Sequence, residues 1–274
     1  MYHRSSTPPS PLNTILYRLA SALIIGLVLT GCSSGISTGG YNPTTVPADF
    51  NAELTAASEI NTVVVASVNL GPPSRSYLDK QAPRIDRQVT EYLKDNGYQV
   101  LPQREFSQRW NNLILVYGDP VDPTTGRVNM KTFIQIMQGV RDQMKEQTSV
   151  DAFVFTDIIE REVIFDQGIN RVARWDGVSR KPALRGAGTG VSTAFNWAEP
   201  VSAASIQISI YNMDLQKLFA GVGGMELNDA VDTRSGNGFI RRREILDNDN
   251  FIQEGIALAL HPLIVMDDWP GEAD

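Results

Sequence analysis

The segment Thr62-Val-Val-Val-Ala-Ser-Val68 constrains the fold more than any other. A continuous, mostly β-branched run of this length suits a strand buried on both faces, which needs a layer of structure on each side. Gly71-Pro72-Pro73 breaks the run. Ala82, Ile85, Val89, Tyr92 and Leu93 then fall on one helical face, and Asn96-Gly97 closes that helix. Tyr98-Gln-Val-Leu101 follows as a short strand. A β-α-β opening with short connections predicts a parallel crossover.

The rest of the chain extends the pattern. Phe106, Trp110, Leu113, Ile114 and Tyr117 form a second helical stripe. Asn129 is placed to cap a third helix that buries Met130, Phe133, Ile134, Met137, Val140 and Met144. A strand is expected over 151–159, with continuation toward Phe165. Residues 166–203 read as a long insertion, and Ser205–Tyr211 with Lys217–Gly221 as a hairpin. Asp249 is the expected cap of a final helix burying Ile252, Ile256, Ala259 and Leu263, the last of these past Pro262, which disturbs the final turn. The predicted class is therefore α/β (α+β): a single mixed β-sheet flanked by helices, in the order β-α-β-α-α-β-insertion-β-β-α. It occupies residues 60–265, with 266–274 as a C-terminal tail.

The N-terminus reads as an address. Residues 1–18 carry Arg4 and Arg18 and no acid, an apolar run from Leu19 to Leu29 follows, and Leu29-Thr30-Gly31-Cys32 ends it. A basic start, a short apolar stretch and small residues before a cut form a secretory signal over 1–31. The run is too short to span a bilayer, which takes about 20 residues. Leu29, Thr30, Gly31 and Cys32 resemble the lipobox of bacterial lipoproteins, in which the cysteine thiol takes a diacylglycerol and the chain is cut before it. The resemblance implies Cys32 as the lipid-attachment residue and the membrane as a partner. Ser33 in place of an aspartate implies, by likeness to enterobacterial lipoproteins, transport to the outer membrane. Cleavage there takes the net charge from −7 to −9 by removing Arg4 and Arg18. Residues 32–59 are expected to be a lipidated tether, because Gly, Pro and small polar residues dominate its first part.

Composition closes several routes to chemistry. Hydrophobic residues at 42% and charged residues at 20% are those of a globular chain, not a disordered one. A single cysteine excludes an internal disulfide or a Cys-rich metal site. Its consumption by lipid would leave no thiol nucleophile. With His3 removed, His261 is the sole imidazole, and its place before Pro262 at a helix end suits a contact with terminal backbone groups. Gly186-Ala-Gly-Thr-Gly190 follows no strand-to-helix signal and reads as a loop rather than a phosphate cradle. Asp119, Asp122 and Asp157 lack the spacing of a calcium loop. The acidic balance gives no footprint for nucleic acid. No catalytic residue, metal ligand or cofactor is assigned.

Two groups remain as candidate partner-binding residues. Trp175, Phe195 and Trp197 lie among glycines in the insertion, where aromatics act either as binding anchors or as cover for a sheet edge. Arg241, Arg242 and Arg243 form the one basic cluster, readable as a patch for an acidic partner or as a solvated face balanced by Glu244, Asp247 and Asp249.

The element pattern over about residues 60–265 resembles the periplasmic lipoproteins built on the amino-terminal-domain fold of the Tol–Pal translocation protein. These include the curli secretion lipoprotein, the penicillin-binding-protein activator lipoprotein and a ring-forming exopolysaccharide lipoprotein. The resemblance implies a non-enzymatic, periplasm-facing outer-membrane lipoprotein that binds or assembles with envelope proteins, homo-oligomers included. A subunit of an oligomeric secretion or export ring is the second expectation. A hydrolase of peptidoglycan or polysaccharide is the third. The chain departs from the pattern of the curli-type channel, because the insertion alternates only over Val191–Trp197. Its tether is also shorter and poorer in proline than that of the activator lipoprotein.

Overall fold

The buried run forms strand β2 (Thr62–Val65), second from one edge of a six-stranded sheet. A computed structural model of the protein describes residues 40–187, 191–234 and 238–271, all within the unit Thr38–Asp274. Cys32, Leu29, Thr30 and Gly31, with the whole expected signal segment, lie outside the described residues. The sheet runs β1 (Asp49–Phe50), β9 (Lys217–Leu227), β8 (Val201–Asn212), β4 (Ala152–Val163), β2 and β3 (Gln99–Leu101). β2 pairs in parallel with β3 and β4, as the β-α-β opening predicts, and β4, β8, β9 and β1 pair antiparallel. The sheet is mixed and helices lie on it, so the chain has the α/β architecture expected.

Alternation along β2 and β4 sorts the core into two layers. Val63, Val65, Ala152 and Val154 face α2 (Ala82–Asp95) and α5 (Asp249–Leu260), which bring Ile85, Val89, Leu93, Ile252 and Ile256. Val64, Ala66 and Phe153 face the other way, toward α3 (Arg104–Tyr117) and α4 (Met130–Gln147), which bring Phe106, Leu113, Ile136, Val140 and Met144. Asn129 caps α4 through its side chain, as its position suggests. At α5 the cap is Asn248, which accepts from Asn250 N and Phe251 N, and Asp249 takes the first helical position instead. An acid there still complements the helix dipole.

The body begins earlier and ends later than the 60–265 expected. Asn42 is buried; its backbone N–H donates to Pro270 O at 2.8 Å and its side chain to Val178 O at 3.1 Å. β1 adds a two-residue edge to β9, and α1 (Ala52–Ala57) follows, capped by Asn51. Ala48, Phe50 and Leu54 pack on the first core layer. Within the predicted tail, Met266 and Trp269 pack under the insertion, and Trp269 stacks on His261 at 4.4 Å. The His261 Nδ1 accepts from Met266 N, so the imidazole ties the tail to the helix end.

β4 and β8 pair over twelve positions, from Ala152↔Asn212 to Val163↔Val201. Their first halves belong to the core and their second halves carry the insertion. The insertion holds a hairpin of β5 (Ala173–Trp175) and β6 (Val178–Arg180), and its β7 (Ala183–Arg185) joins β10 (Asp229–Asp232) and β11 (Phe239–Arg241), which follow β9, in a small sheet.

α5 lies unusually close to β9. A Cβ on Gly223 would sit 2.0 Å from the carbonyl oxygen of Gly255, and one on Gly221 would sit 2.2 Å from that of Ala259. Gly255 and Ala259 are one turn apart on the helix, so a stripe of small residues on each element lets the two backbones touch.

Candidate functional site

The aromatics singled out in the insertion form a local core. Trp175 is buried and its indole N–H donates to Ala204 O at 3.3 Å. Phe195 is buried and Trp197 half-buried, their rings 4.6 Å apart, with Phe165 and Phe239 completing the group. The Arg171 guanidinium lies 5.2 Å from the Trp197 ring. Of the two roles open to these rings, covering the end of the long β4–β8 ribbon is the one the packing shows.

The arginine cluster is divided among acids. Arg241 contacts Glu160 at 3.1 Å and Asp229 at 3.5 Å. Burial pushes Glu160 up, but hydrogen bonds from Ser202 and Arg241 and the charges of Arg241 and Arg75 outweigh it and hold the carboxyl below its ordinary value. Arg242 pairs with Glu226 at 2.9 Å and reaches Asp247 at 3.5 Å. Burial dominates at Glu226 and pushes its carboxyl up despite Arg242. Arg243 is exposed and makes no ion pair among the described residues. Two of the three arginines are thus ties within the fold. Similar ties hold the insertion down: the Asp176 carboxylate accepts from Arg161 at 2.8 Å and Ser205 at 2.6 Å. Arg180 pairs with Glu254 at 2.6 Å while covering the Phe251 ring.

Asp157 does not meet Asp119 or Asp122, and no cluster of three or more His, Cys, Asp or Glu suited to a metal occurs among the described residues. Asp119 and Asp122 instead cap turns, accepting from Val121 N and from Thr124 N and Thr125 N. Asp157 accepts from Asn69 at the end of β2. Nearby, Asp86 accepts from Val68 N at 2.9 Å and Gln103 Nε2 at 2.8 Å. Burial raises both carboxyls above the usual range, against those hydrogen bonds. This polar group closes the carboxyl ends of the parallel strands.

The feature with no internal explanation is apolar. α3 ends in Leu113-Ile-Leu-Val-Tyr117, apolar on every side of the helix. Leu113 is buried against Gly139 of α4, and Ile114 is half-buried. Leu115 is 85% exposed, Val116 71%, and Tyr117 also faces solvent. The chain then reverses through 118–129, where Val121 bridges Val128 and Asn129 N donates to Pro120 O. Both valines are exposed, as are Met130 and Ile134, one turn apart at the start of α4. Tyr117, Met130 and Ile134, expected on buried stripes, therefore sit outside the core. The helix pair covers β2 and β4 through Ile136, Met137, Val140 and Met144, while Leu115, Val116, Met130 and Ile134 stay exposed among the described residues. Sequence periodicity found the inner stripe of α3. The sign it passed over was the run of five apolar residues, which puts Leu115 and Val116 on the opposite side.

Neither a protein-family model nor a curated protein sequence matches the chain. Among solved structures, the crystal structure of a neuraminyllactose-binding hemagglutinin homolog from Helicobacter pylori aligns with 73% of this chain and 81% of its own, at 8% identity and a TM-score of 0.29. A superposition that loose carries no assignment of fold or function.

Proposed function

We propose that this is a non-enzymatic lipoprotein, anchored through Cys32 in the outer membrane and facing the periplasm, which docks a protein through the outer surface of α3 and α4. The observation that carries the docking is the set of exposed apolar side chains on these two helices, Leu115, Val116, Met130 and Ile134. Monomers rarely expose contiguous apolar patches larger than a few hundred Å², and those they do expose are often functional. The anchor rests on Leu29-Thr30-Gly31-Cys32 and the apolar run before it. Acyl chains on Cys32 would hold the protein stably where a single chain holds only reversibly. The test is metabolic labelling with a palmitate analogue, followed by separation of inner and outer membranes. Label in the outer-membrane fraction, lost on Cys32→Ala, is the expected result. Label that survives Cys32→Ala refutes the anchor.

A further inference from the structure

We infer that an open groove at the amino ends of β2 and β3 is a binding site for a neutral oligosaccharide. The inference goes beyond the docking reading above and uses none of its residues.

Three stretches of chain line the groove, which has a volume of about 400 Å³. Ile60 and Asn61 lead into β2, Asn96, Gly97 and Tyr98 join α2 to β3, and Leu263, Ile264 and Val265 follow α5. That volume falls within the range of small-ligand sites, about 300–1,000 Å³. Each stretch is fixed by the fold itself. Asn61 N donates to the Asp151 carboxylate at 3.0 Å, Tyr98 N to Leu93 O at 3.1 Å and Ile264 N to Leu260 O at 2.9 Å. Gly97 turns the chain at a φ of +91°, and a Cβ there would meet nothing within 4 Å.

The chemistry of the lining selects the ligand. No charged side chain lines the groove among the described residues. The Asn61 Nδ2 donates to Glu59 O at 3.0 Å and the Asn96 Nδ2 to Tyr92 O at 2.9 Å, which fixes both amides. Each keeps its oxygen and one N–H for a ligand, and the Tyr98 hydroxyl bonds to none of the described residues. Burial raises the Tyr98 phenol above its ordinary value, so it keeps its proton at neutral pH and can both donate and accept. The groove therefore offers donors and acceptors side by side and no charge. An ammonium group would meet no carboxylate there, and a phosphate no cation. Hydroxyl groups match such a lining, because each donates and accepts without charge. An oligosaccharide carries them along a chain that an open groove admits lengthwise. No Asp or Glu is among the lining residues, so the glycan is held and not cut, since glycoside hydrolysis takes a pair of carboxyl groups.

Saturation-transfer NMR on the full-length protein, extracted in a detergent without a sugar headgroup, tests this. The probes are cellotetraose, maltotetraose and the tetramer of N-acetylglucosamine, with trilysine and glucose 6-phosphate as charged comparisons. At least one neutral tetrasaccharide should bind with a Kd of about 0.1–1 mM, and both charged probes more weakly. Asn61→Ala and Asn96→Ala each remove one amide from an exposed position and should each weaken binding about fivefold, the effect of losing one hydrogen bond. Val265→Trp, at a side chain 73% exposed, should narrow the groove and abolish binding, while Ile169→Trp, fully exposed on the insertion, should leave it unchanged. Unchanged melting temperatures separate lost binding from lost folding. No transfer to any tetrasaccharide at about 5 mM overturns the inference. So does tighter binding of trilysine or glucose 6-phosphate, or saccharide binding indifferent to both alanines and to Val265→Trp.

Discussion

Replacing Gly223 with alanine puts a methyl group where the structure has a backbone. Its Cβ would stand 2.0 Å from the Gly255 carbonyl oxygen and 2.9 Å from Leu258 Cβ, and neither can swing aside as a side-chain tip can. Relaxed C···O contacts lie at about 3.3–3.6 Å, so α5 must withdraw by more than an ångström. That helix buries Ile252, Ile256 and Leu260 completely. Each is worth about 1.5–3 kcal/mol in burial. A gap of 0.5–1 Å forfeits about a quarter to a half of the contact energy, which over the three side chains gives a loss of about 1–4.5 kcal/mol. Alanine returns about 0.4–1 kcal/mol by restricting the unfolded chain, leaving a net destabilisation centred on about 2 kcal/mol. In a domain of this size the melting temperature should fall by about 4–8 °C. Urea unfolding followed by far-ultraviolet circular dichroism measures the change. Gly40→Ala is the control: nothing lies within 4 Å of its Cβ position, and no change beyond about 0.5 kcal/mol is expected. If Gly223→Ala proves no more costly than Gly40→Ala, α5 and β9 do not meet backbone to backbone.

Other perturbations test other joints. Arg180→Met or Glu254→Gln alone should each cost about 3 kcal/mol, by breaking a buried pair, whereas the double variant should cost clearly less than their sum; additivity in a double-mutant cycle would refute the coupling. Trp197→Ala should cost about 2 kcal/mol, because its ring packs with Phe165 and Phe195; unchanged urea stability would return the residue to a surface role. The buried Asp86 carboxyl keeps its proton in the folded state at pH values where the unfolded chain has lost it. The wild type should therefore lose stability as pH rises from the ordinary 3.8 through the raised folded value, and Asp86→Asn should lack that part of the slope. Urea midpoints measured for both proteins between pH 3.5 and 7 give the comparison, and parallel curves would sink it.

Much of the fold could be read from residues alone, because the signals were local and repeated. Val63 to Val65, the stripe from Ile85 to Leu93 and the Asn129 cap each declare an element within a few positions. What escaped depends on partners remote in sequence. β1 is two residues long, and only Ala220 and Phe219 make it a strand. Asn42 sits in a stretch composed like a linker, and its burial depends on Val178 and Pro270. Gly221 and Gly223 look like breaks in a strand until Ala259 and Gly255 are set against them, and Gly224 until Trp175 and Val178 are. The apolar end of α3 shows a further limit: periodicity tells which face is apolar, but not whether the protein's own core reaches it. Of the candidate residues, Trp175, Phe195 and Trp197 drew attention because aromatics among glycines resemble a binding loop. The Phe195 and Trp197 rings meet Phe165 and Phe239, and Trp175 meets Ala204, only once β4 and β8 have carried both sides of the insertion to the same place.

The hydrogen bond from Asn42 to Pro270 has a consequence for assembly in time. Residues ahead of β2 that are fastened by Pro270 cannot latch until that residue has been made. β1 likewise waits for β9, and the buried Arg180 waits for Glu254 on the last helix. Local units such as β2-α2-β3 can form early, but the clasp between the two ends closes late. Until it does, the segment around Asn42 lacks that tie, and removal of the residues around Pro270 would be felt first there.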